Sequence, residues 1–231
     1  MNYLCIIATP IGNLEDISLR ALRILKEVDL ILCEDTRKTK KLLSHYNIQK
    51  HLLSYHQHSS AQKIEQITAL LRKGKNIALV TDSGTPGISD PGNKLIAYIR
   101  EKLPHVIITP IPGPSAVATI ASVAGIAMDK FLFLGFPPKK RKREKFFQRI
   151  VDSPYPVIFY ESPYRIKKTL KDILKLAQEN NIRLQALIGR ELTKKFESFY
   201  SGSLEEVVSQ LKNSSLKGEF TILVYRLSIS Q

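Results

Sequence analysis

The chain has 231 residues, 43% of them hydrophobic and 24% charged, the length of one large domain or two ordinary ones and the balance of a soluble globular protein. No apolar run reaches the ~18 residues of a membrane helix, the apolar N-terminus MNYLCIIATPIG lacks a basic leader, and two cysteines, Cys5 and Cys33, are too few for a disulfide framework or a paired-cysteine zinc site. Lys and Arg outnumber Asp and Glu by 35 to 21, a formal charge of +14, which points to a polyanionic partner such as nucleic acid, or to a polycarboxylate substrate.

Short β-rich runs alternate with helical patterns. A first strand over Tyr3 to Thr9 leads through a Pro/Gly/Asn turn to a helix near Ser18 to Val28, where Leu19, Leu22, Ile24 and Leu25 recur at helical spacing. Strand-like Leu30 to Cys33 precedes a basic helix from Thr36 to about Tyr46. Leu52 to Tyr55, a helix over Ala61 to Lys73 and a strand over Asn76 to Thr81 follow, then a turn-rich loop from Asp82 to Asn93 opening a helix that ends near Lys102. Val106 to Ile111 predicts a strand, and Ser115 to Ala124 a helix of small residues.

The second half begins with the strand-like FLFLGF at 131 to 136, a basic segment with a helix, and a strand over Val157 to Tyr160. Ser162 and Pro163 predict the N-cap and first position of a helix reaching about Glu179. Strands over Leu184 to Gly189 and Phe196 to Ser201 come next, and Ser203 with Glu206 forms a capping-box pattern. Glu219 to Leu227 is a final β run. This alternation predicts an α/β protein with largely parallel sheets. Its boundary fits between about Pro110 and Ile126, giving an N-terminal α/β domain over 1–115 and a C-terminal one over 116–231. The second is the more basic, with 20 Lys and Arg against 11 Asp and Glu in residues 119–231, compared with 15 against 10 in residues 1–118.

Chemistry-bearing residues gather at predicted strand ends. The stretch Thr81-Asp82-Ser83-Gly84-Thr85-Pro86-Gly87-Ile88-Ser89-Asp90-Pro91-Gly92 follows an apolar strand at the edge where open α/β sheets bind ligands. It lacks the Gly-Lys-Ser/Thr of a phosphate-binding loop, and Asp82 and Asp90 repel phosphate but suit hydroxyls or an ammonium group. A rigid turn without a ligand explains it as well. Pro112-Gly113-Pro114-Ser115 ends another strand, as a backbone-exposing turn or a domain link, and the loop containing Pro10 and Gly12 is ordinary turn chemistry in isolation. Glu34-Asp35-Thr36-Arg37 pairs carboxylates with a guanidinium, a proton acceptor or simply a helix cap. Glu161-Ser162-Pro163-Tyr164-Arg165 and Arg190-Glu191-Leu192-Thr193-Lys194 occupy analogous strand ends. Lys139, Lys140, Arg141, Lys142, Arg143 and Lys145 make six basic residues in seven ahead of Phe146 and Phe147, a pattern for phosphate-backbone contact or a solvated loop. The histidines show no metal spacing, so no metal is expected; His56 and His58 would share a face if they lay on a strand.

The segments ATPIGNLEDISLRAL, CEDTRKTKKLL, LVTDSGTPGISDPG, IPGPSA, GFPP, YESPYR, GRELTK and GEFTILV occur in an order, and over nearly the whole chain, that resembles the branch of the tetrapyrrole-methylase superfamily acting on small-subunit ribosomal RNA. The resemblance implies a class III methyltransferase fold, two α/β domains with the active site in the cleft between them, in a cytoplasmic homodimer away from membranes. It implies S-adenosyl-L-methionine as cofactor, held by Pro10, Asp82, Ser83, Gly84, Gly87, Ser89, Asp90, Pro112, Gly113, Pro114 and Ser115. The implied reaction is methylation of the ribose 2′-hydroxyl of cytidine 1402 in 16S rRNA on the small ribosomal subunit. Asp35, Glu161, Glu191 and Lys194 are the catalytic candidates by position, and Arg37, Arg165 and Arg190 join the 139–145 run as RNA-binding candidates. The chain ends soon after GEFTILVYRLSISQ, where many members of the branch continue into a small helical domain, so that extra tail is expected to be absent. Two alternatives are a precorrin or uroporphyrinogen methyltransferase and a non-catalytic RNA-binding factor. The first opens with a GxGPG-type loop, whereas this chain carries TPIGN.

Overall fold

Apolar pairs on successive residues build the first sheet. In a computed structural model, which describes residues 2–212 and 217–226, strands β1 (Tyr3–Ile7), β2 (Leu30–Cys33), β3 (His51–Ser54), β4 (Ile77–Leu79) and β5 (Ile107–Ile111) pair in the order β3-β2-β4-β1-β5. All four pairings are parallel. Both faces must then be covered, and neighbouring side chains serve opposite layers. Cys5, Ile31 and Ala78 pack with Ala21, Ile24 and Leu25 of α1 (Leu19–Glu27) and Leu43 of α2 (Thr36–His45). Leu4, Leu32 and Leu79 pack instead with Ile67 and Leu71 of α3 (Ala61–Arg72) and Leu95 and Ile99 of α4 (Asn93–Lys102). Caps set the helix starts: Ser18, Asp35 and Ser60 accept backbone N–H groups from Ala21, Arg37 and Lys63.

By its contacts the chain divides into two compact units, Met1–Ser115 and Ala116–Gln231. In the second, β6 (Leu132–Phe133), β7 (Val157–Glu161), β8 (Leu184–Arg190), β9 (Ser198–Ser203) and β10 (Phe220–Arg226) pair in the order β6-β7-β10-β8-β9. Here the expectation of a largely parallel sheet fails: only β6–β7 is parallel, and the other three pairings are antiparallel. Insertion of β10 between β7 and β8 accounts for two of these pairings, and connection length for the third. Residues 191–197 between β8 and β9 are too few for a crossover and close a hairpin. One face carries α6 (Arg143–Asp152), α7 (Ile166–Glu179) and α8 (Leu204–Lys212), whose Phe147, Leu170 and Val207 bury against Phe159, Ile188 and Ile222. The short helix α5 (Ala116–Ser122) packs on β8 and β10. A Cβ on Gly189 would come within 3.1 Å of Ile120.

Helix α7 starts three residues later than Ser162 as an N-cap would place it. Residues 162–165 form a turn in which Ile166 N–H donates to the Ser162 carbonyl at 3.1 Å. The final strand is described through Arg226, so Leu227 lies outside the described residues. His56 and His58 sit after β3 on a turn, where the His56 N–H donates to Ser59 Oγ, and share no strand face. The capping box forms as the sequence spacing predicts: Glu206 N–H donates to Ser203 Oγ at 3.2 Å, and Ser203 N–H to Glu206 Oε2 at 2.8 Å. Ser203→Ala should cost about 1 kcal/mol, read as a lower midpoint in urea at unchanged slope.

Candidate functional site

Three loops meet at the carboxyl ends of the first sheet. Thr9 N–H donates to the Gly84 carbonyl at 2.9 Å and Gly84 N–H returns a bond to the Thr9 carbonyl at 3.0 Å, joining the loops after β1 and β4. Thr9 Oγ1 also donates to the Thr81 carbonyl at 3.1 Å. The 112–115 turn joins through Thr85 Oγ1, which donates to the Pro114 carbonyl at 3.1 Å. Gly113 lies so close to the first strand that a Cβ there would sit 3.0 Å from Ala8 Cβ. Gly84 and Gly87 take φ values of +82° and +85°, and Ser89 one of 62°, left-handed conformations that turn the loop sharply.

These turns gather carboxylates. Asp82 N–H donates to Glu34 Oε1 at 3.3 Å, and Asp82 Oδ1 accepts the Asp35 N–H at 3.1 Å. Lys38 Nζ sits 2.8 Å from Asp82 Oδ2. Burial pushes the Asp90 carboxyl up to about 7, and the charges of Glu34 and Asp82 add to the shift. Burial also raises the Glu34 carboxyl above its usual range. Beside this cluster Thr9, Pro10, Leu14, Thr39, Leu42, Thr81 and Asp82 line a cavity of about 260 Å³ with Lys38 and Lys41 among its walls. Of the predicted residues, Pro10 and Asp82 reach the cavity; Ser83 and Ser89 are exposed. Asp35 spends Oδ1 on the Arg37 N–H at 2.8 Å, the capping alternative for that pair, while Arg37 itself is exposed.

The second unit holds two further clusters. Glu161 is buried with both oxygens engaged: Oε1 takes Arg165 at 2.8 Å and the Ser162 N–H at 2.7 Å, and Oε2 takes Thr169 Oγ1 at 2.5 Å with Arg143 at 3.9 Å. Those guanidiniums reach on to main chain, Arg165 Nη1 to the Pro137 carbonyl at 3.1 Å and Arg143 Nη1 to the Pro138 carbonyl at 3.3 Å. Arg143 and Arg165, expected among the RNA contacts, therefore fasten the 137–142 loop from inside. Lys139, Lys140, Arg141, Lys142 and Lys145 are exposed. Phe146 and Phe147, the aromatic neighbours of this run, are buried in the core.

The other cluster closes the β8–β9 hairpin. Glu191, at φ 53°, accepts from Lys194 Nζ and Glu219 N–H on Oε1, both at 2.9 Å, and Lys194 also meets Glu219 Oε2 at 2.9 Å. Burial would raise the Glu191 carboxyl, but Lys194, the Glu219 N–H and the Arg190 charge together outweigh it and hold the pKa below the usual range. Burial works against the Lys194 charge too, and its two carboxylate partners more than offset that, keeping it protonated. A Cβ on Gly218 would overlap the Glu191 side chain. Arg190 Nε donates to the Lys217 carbonyl at 2.7 Å. Thr193 and Ser198 hydroxyls are buried without a hydrogen-bond partner among the described residues.

Residues 3–208 match the family Tetrapyrrole (Corrin/Porphyrin) Methylases. Over 224 residues the chain is 41% identical to ribosomal RNA small subunit methyltransferase I of Thermotoga maritima, covering 97% of this chain and 98% of that one. It is 45% identical to the protein of the same name from a Hydrogenobaculum species, covering 96% and 94%. The chain belongs to the tetrapyrrole methylase family, in its ribosomal RNA small subunit methyltransferase I branch. Among solved structures it resembles the methyltransferase CobJ at a TM-score of 0.69 and 15% identity, over 100% of this chain and 97% of that one. The uroporphyrin III C-methyl transferase of Thermus thermophilus gives 0.64 and 17%, over 96% and 97%. At that identity these likenesses show the fold.

Tetrapyrrole methylases use S-adenosylmethionine, and the carboxyl ends of the first sheet fit its charge. Burial raises the Glu34 and Asp90 carboxyls first, and the mutual charges of Glu34, Asp82 and Asp90 add to it, so a cationic ligand there would favour their ionised forms. Asp82 and Asp90 could hold its charged groups, and the main chain of 112–115 its uncharged ones. Glu34 was marked with Asp35 as one of the paired carboxylates; Lys38 and the cavity-lining Thr39 and Lys41 were not, and the basic spacing of α2, which brings Lys38 and Lys41 onto one face, was the available signal.

Because the Asp90 pKa is raised, ionising it costs folding free energy. The stability its neutral form retains below about pH 4 is lost as pH rises through about 7. Asp90→Asn should therefore raise the thermal midpoint over the parent at pH 8 by clearly more than at pH 4. An equal difference at both pH values would mean that folding does not oppose ionisation of Asp90. Glu161→Ala leaves two guanidiniums over an empty carboxylate position and should cost roughly 3–5 kcal/mol in denaturant unfolding.

Proposed function

We propose that the chain transfers the methyl group of S-adenosylmethionine to the 2′-hydroxyl of a cytidine ribose in 16S rRNA, the target being the cytidine named by the resemblance. The observation carrying this reading is the 41–45% identity, over 96–97% of the chain, to relatives named ribosomal RNA small subunit methyltransferase I. The exposed basic loop at 139–142 supports it, because a polyphosphate substrate has use for such a surface.

When bound, the cofactor supplies an activated sulfonium methyl, leaving the protein to align donor and acceptor and to manage one proton. Asp82 and Asp90, with Pro10, Ser83, Gly84, Gly87, Ser89 and the 112–115 turn, are the proposed cofactor residues. Lys194, held protonated by Glu191 and Glu219, suits a cation that eases ionisation of a ribose hydroxyl. Asp35 keeps Oδ2 outside the cap bond and suits a proton acceptor. Glu161 has both oxygens engaged and suits a positioning role for the basic loop. Lys139, Lys140, Arg141, Lys142 and Lys145, with Arg37, are the proposed phosphate contacts, in a cytoplasmic homodimer acting on the small subunit.

Incubation with radiolabelled S-adenosylmethionine and small subunits lacking the modification should put label into a 2′-O-methylcytidine derivative. Label in a tetrapyrrole control and none in RNA would transfer the chain to the macrocycle branch. Lys194→Met should lower kcat by about 100-fold with KM little changed.

A further inference from the structure

Two aromatic rings in the second unit stand in water next to the basic loop. Phe136, just before Pro137, is 55% exposed and Tyr164, just before Arg165, is 96% exposed. A ring left that open costs hydrophobic free energy and calls for an explanation when another accompanies it on an adjoining segment. The segments are bound together: Tyr160 N–H donates to the Gly135 carbonyl at 3.0 Å, and Arg165 Nη1 to the Pro137 carbonyl at 3.1 Å. Phe136 is braced from behind by Tyr160, ring centroids 5.2 Å apart, and Tyr160 in turn by Phe133 at 5.1 Å. Behind both segments, buried Glu161 fixes Arg143 and Arg165, so the main chain carrying the rings is held in place. Lys139, Lys140, Arg141 and Lys142, all exposed, follow Phe136 after Pro137 and Pro138.

Solvent-facing rings on anchored main chain beside a run of cations make the combination that binds unpaired nucleic acid: bases stack on the rings while phosphates meet the ammonium and guanidinium groups. We propose that Phe136 and Tyr164 form a stacking platform for unpaired ribonucleotides, with the 139–142 loop holding the backbone of the same strand. This rests on the proposed RNA-methylating function and deepens it: the substrate is met as single-stranded RNA, by its bases as well as its phosphates.

The test compares a fluorescein-labelled 12-nucleotide oligouridylate with an abasic strand of equal length and charge, both titrated with the full-length protein. The parent should bind the base-bearing strand at least tenfold more tightly. Tyr164→Ala and Phe136→Ala should each lose most of that preference while leaving the abasic affinity unchanged; Tyr164→Phe and Phe136→Tyr should keep it. Lys140→Ser with Arg141→Ser should weaken both strands alike. Tyr164 is almost wholly exposed, so its replacement leaves the core untouched. Equal affinity of the parent for the two strands, or a preference that survives Tyr164→Ala, overturns the platform. Methyl transfer to small subunits, run in parallel, separates the two claims. Transfer without base preference sinks the platform alone; base preference lost in the alanine variants, with no transfer, supports the platform and sinks the proposed reaction.

Discussion

The second unit is organised around one carboxylate that water does not reach. Glu161 ends β7, and with its two oxygens it holds the start of the 162–165 turn, a hydroxyl of α7 and two guanidiniums that cross to the loop after β6. A lone buried carboxylate is expensive, so every partner is required, and the requirement propagates. Arg143 has to open α6, Arg165 has to precede α7, and the carbonyls of Pro137 and Pro138 have to turn inward to receive them. A loop carrying four consecutive cations, which charge repulsion alone would spread, acquires a fixed base.

The first unit solves the opposite problem. There Glu34, Asp82 and Asp90 are brought together with Lys38 as the cation bonded to Asp82, and the crowding is tolerated where one would expect it to be avoided. Reciprocal backbone bonds between Thr9 and Gly84 and the close seat of Gly113 on Ala8 keep the loops from relaxing apart. One unit surrounds its carboxylate with cations and donors on both oxygens; the other sets Lys38 beside Asp82 and keeps Glu34 and Asp90 where burial raises their pKa.

Much of this could be seen in the residues beforehand. The parallel first sheet follows from apolar runs such as Leu30 to Cys33, and the capping box at Ser203 and Glu206 forms as its spacing dictates. The antiparallel second sheet was not legible, because strand direction there depends on a short hairpin and on β10 inserting between β7 and β8. Nor were the roles of Arg143 and Arg165. A run of cations looks uniform in sequence, and only burial of Glu161 separates those turned inward from those left outside. The same burial relocates the aromatic neighbours: Phe146 and Phe147 enter the core, while Phe136 and Tyr164 remain in water.

Gly218 faces the Glu191 side chain so closely that the two positions, 27 apart in sequence, share one volume. A side chain at position 218 would have to push the Glu191 carboxylate aside, and with it the acceptor that keeps Lys194 in place. The same position holds φ at +111°, so backbone and side chain alike reserve it for glycine. The absence of one Cβ is thus a structural part of the Glu191–Lys194 pair, as much as the two charges are.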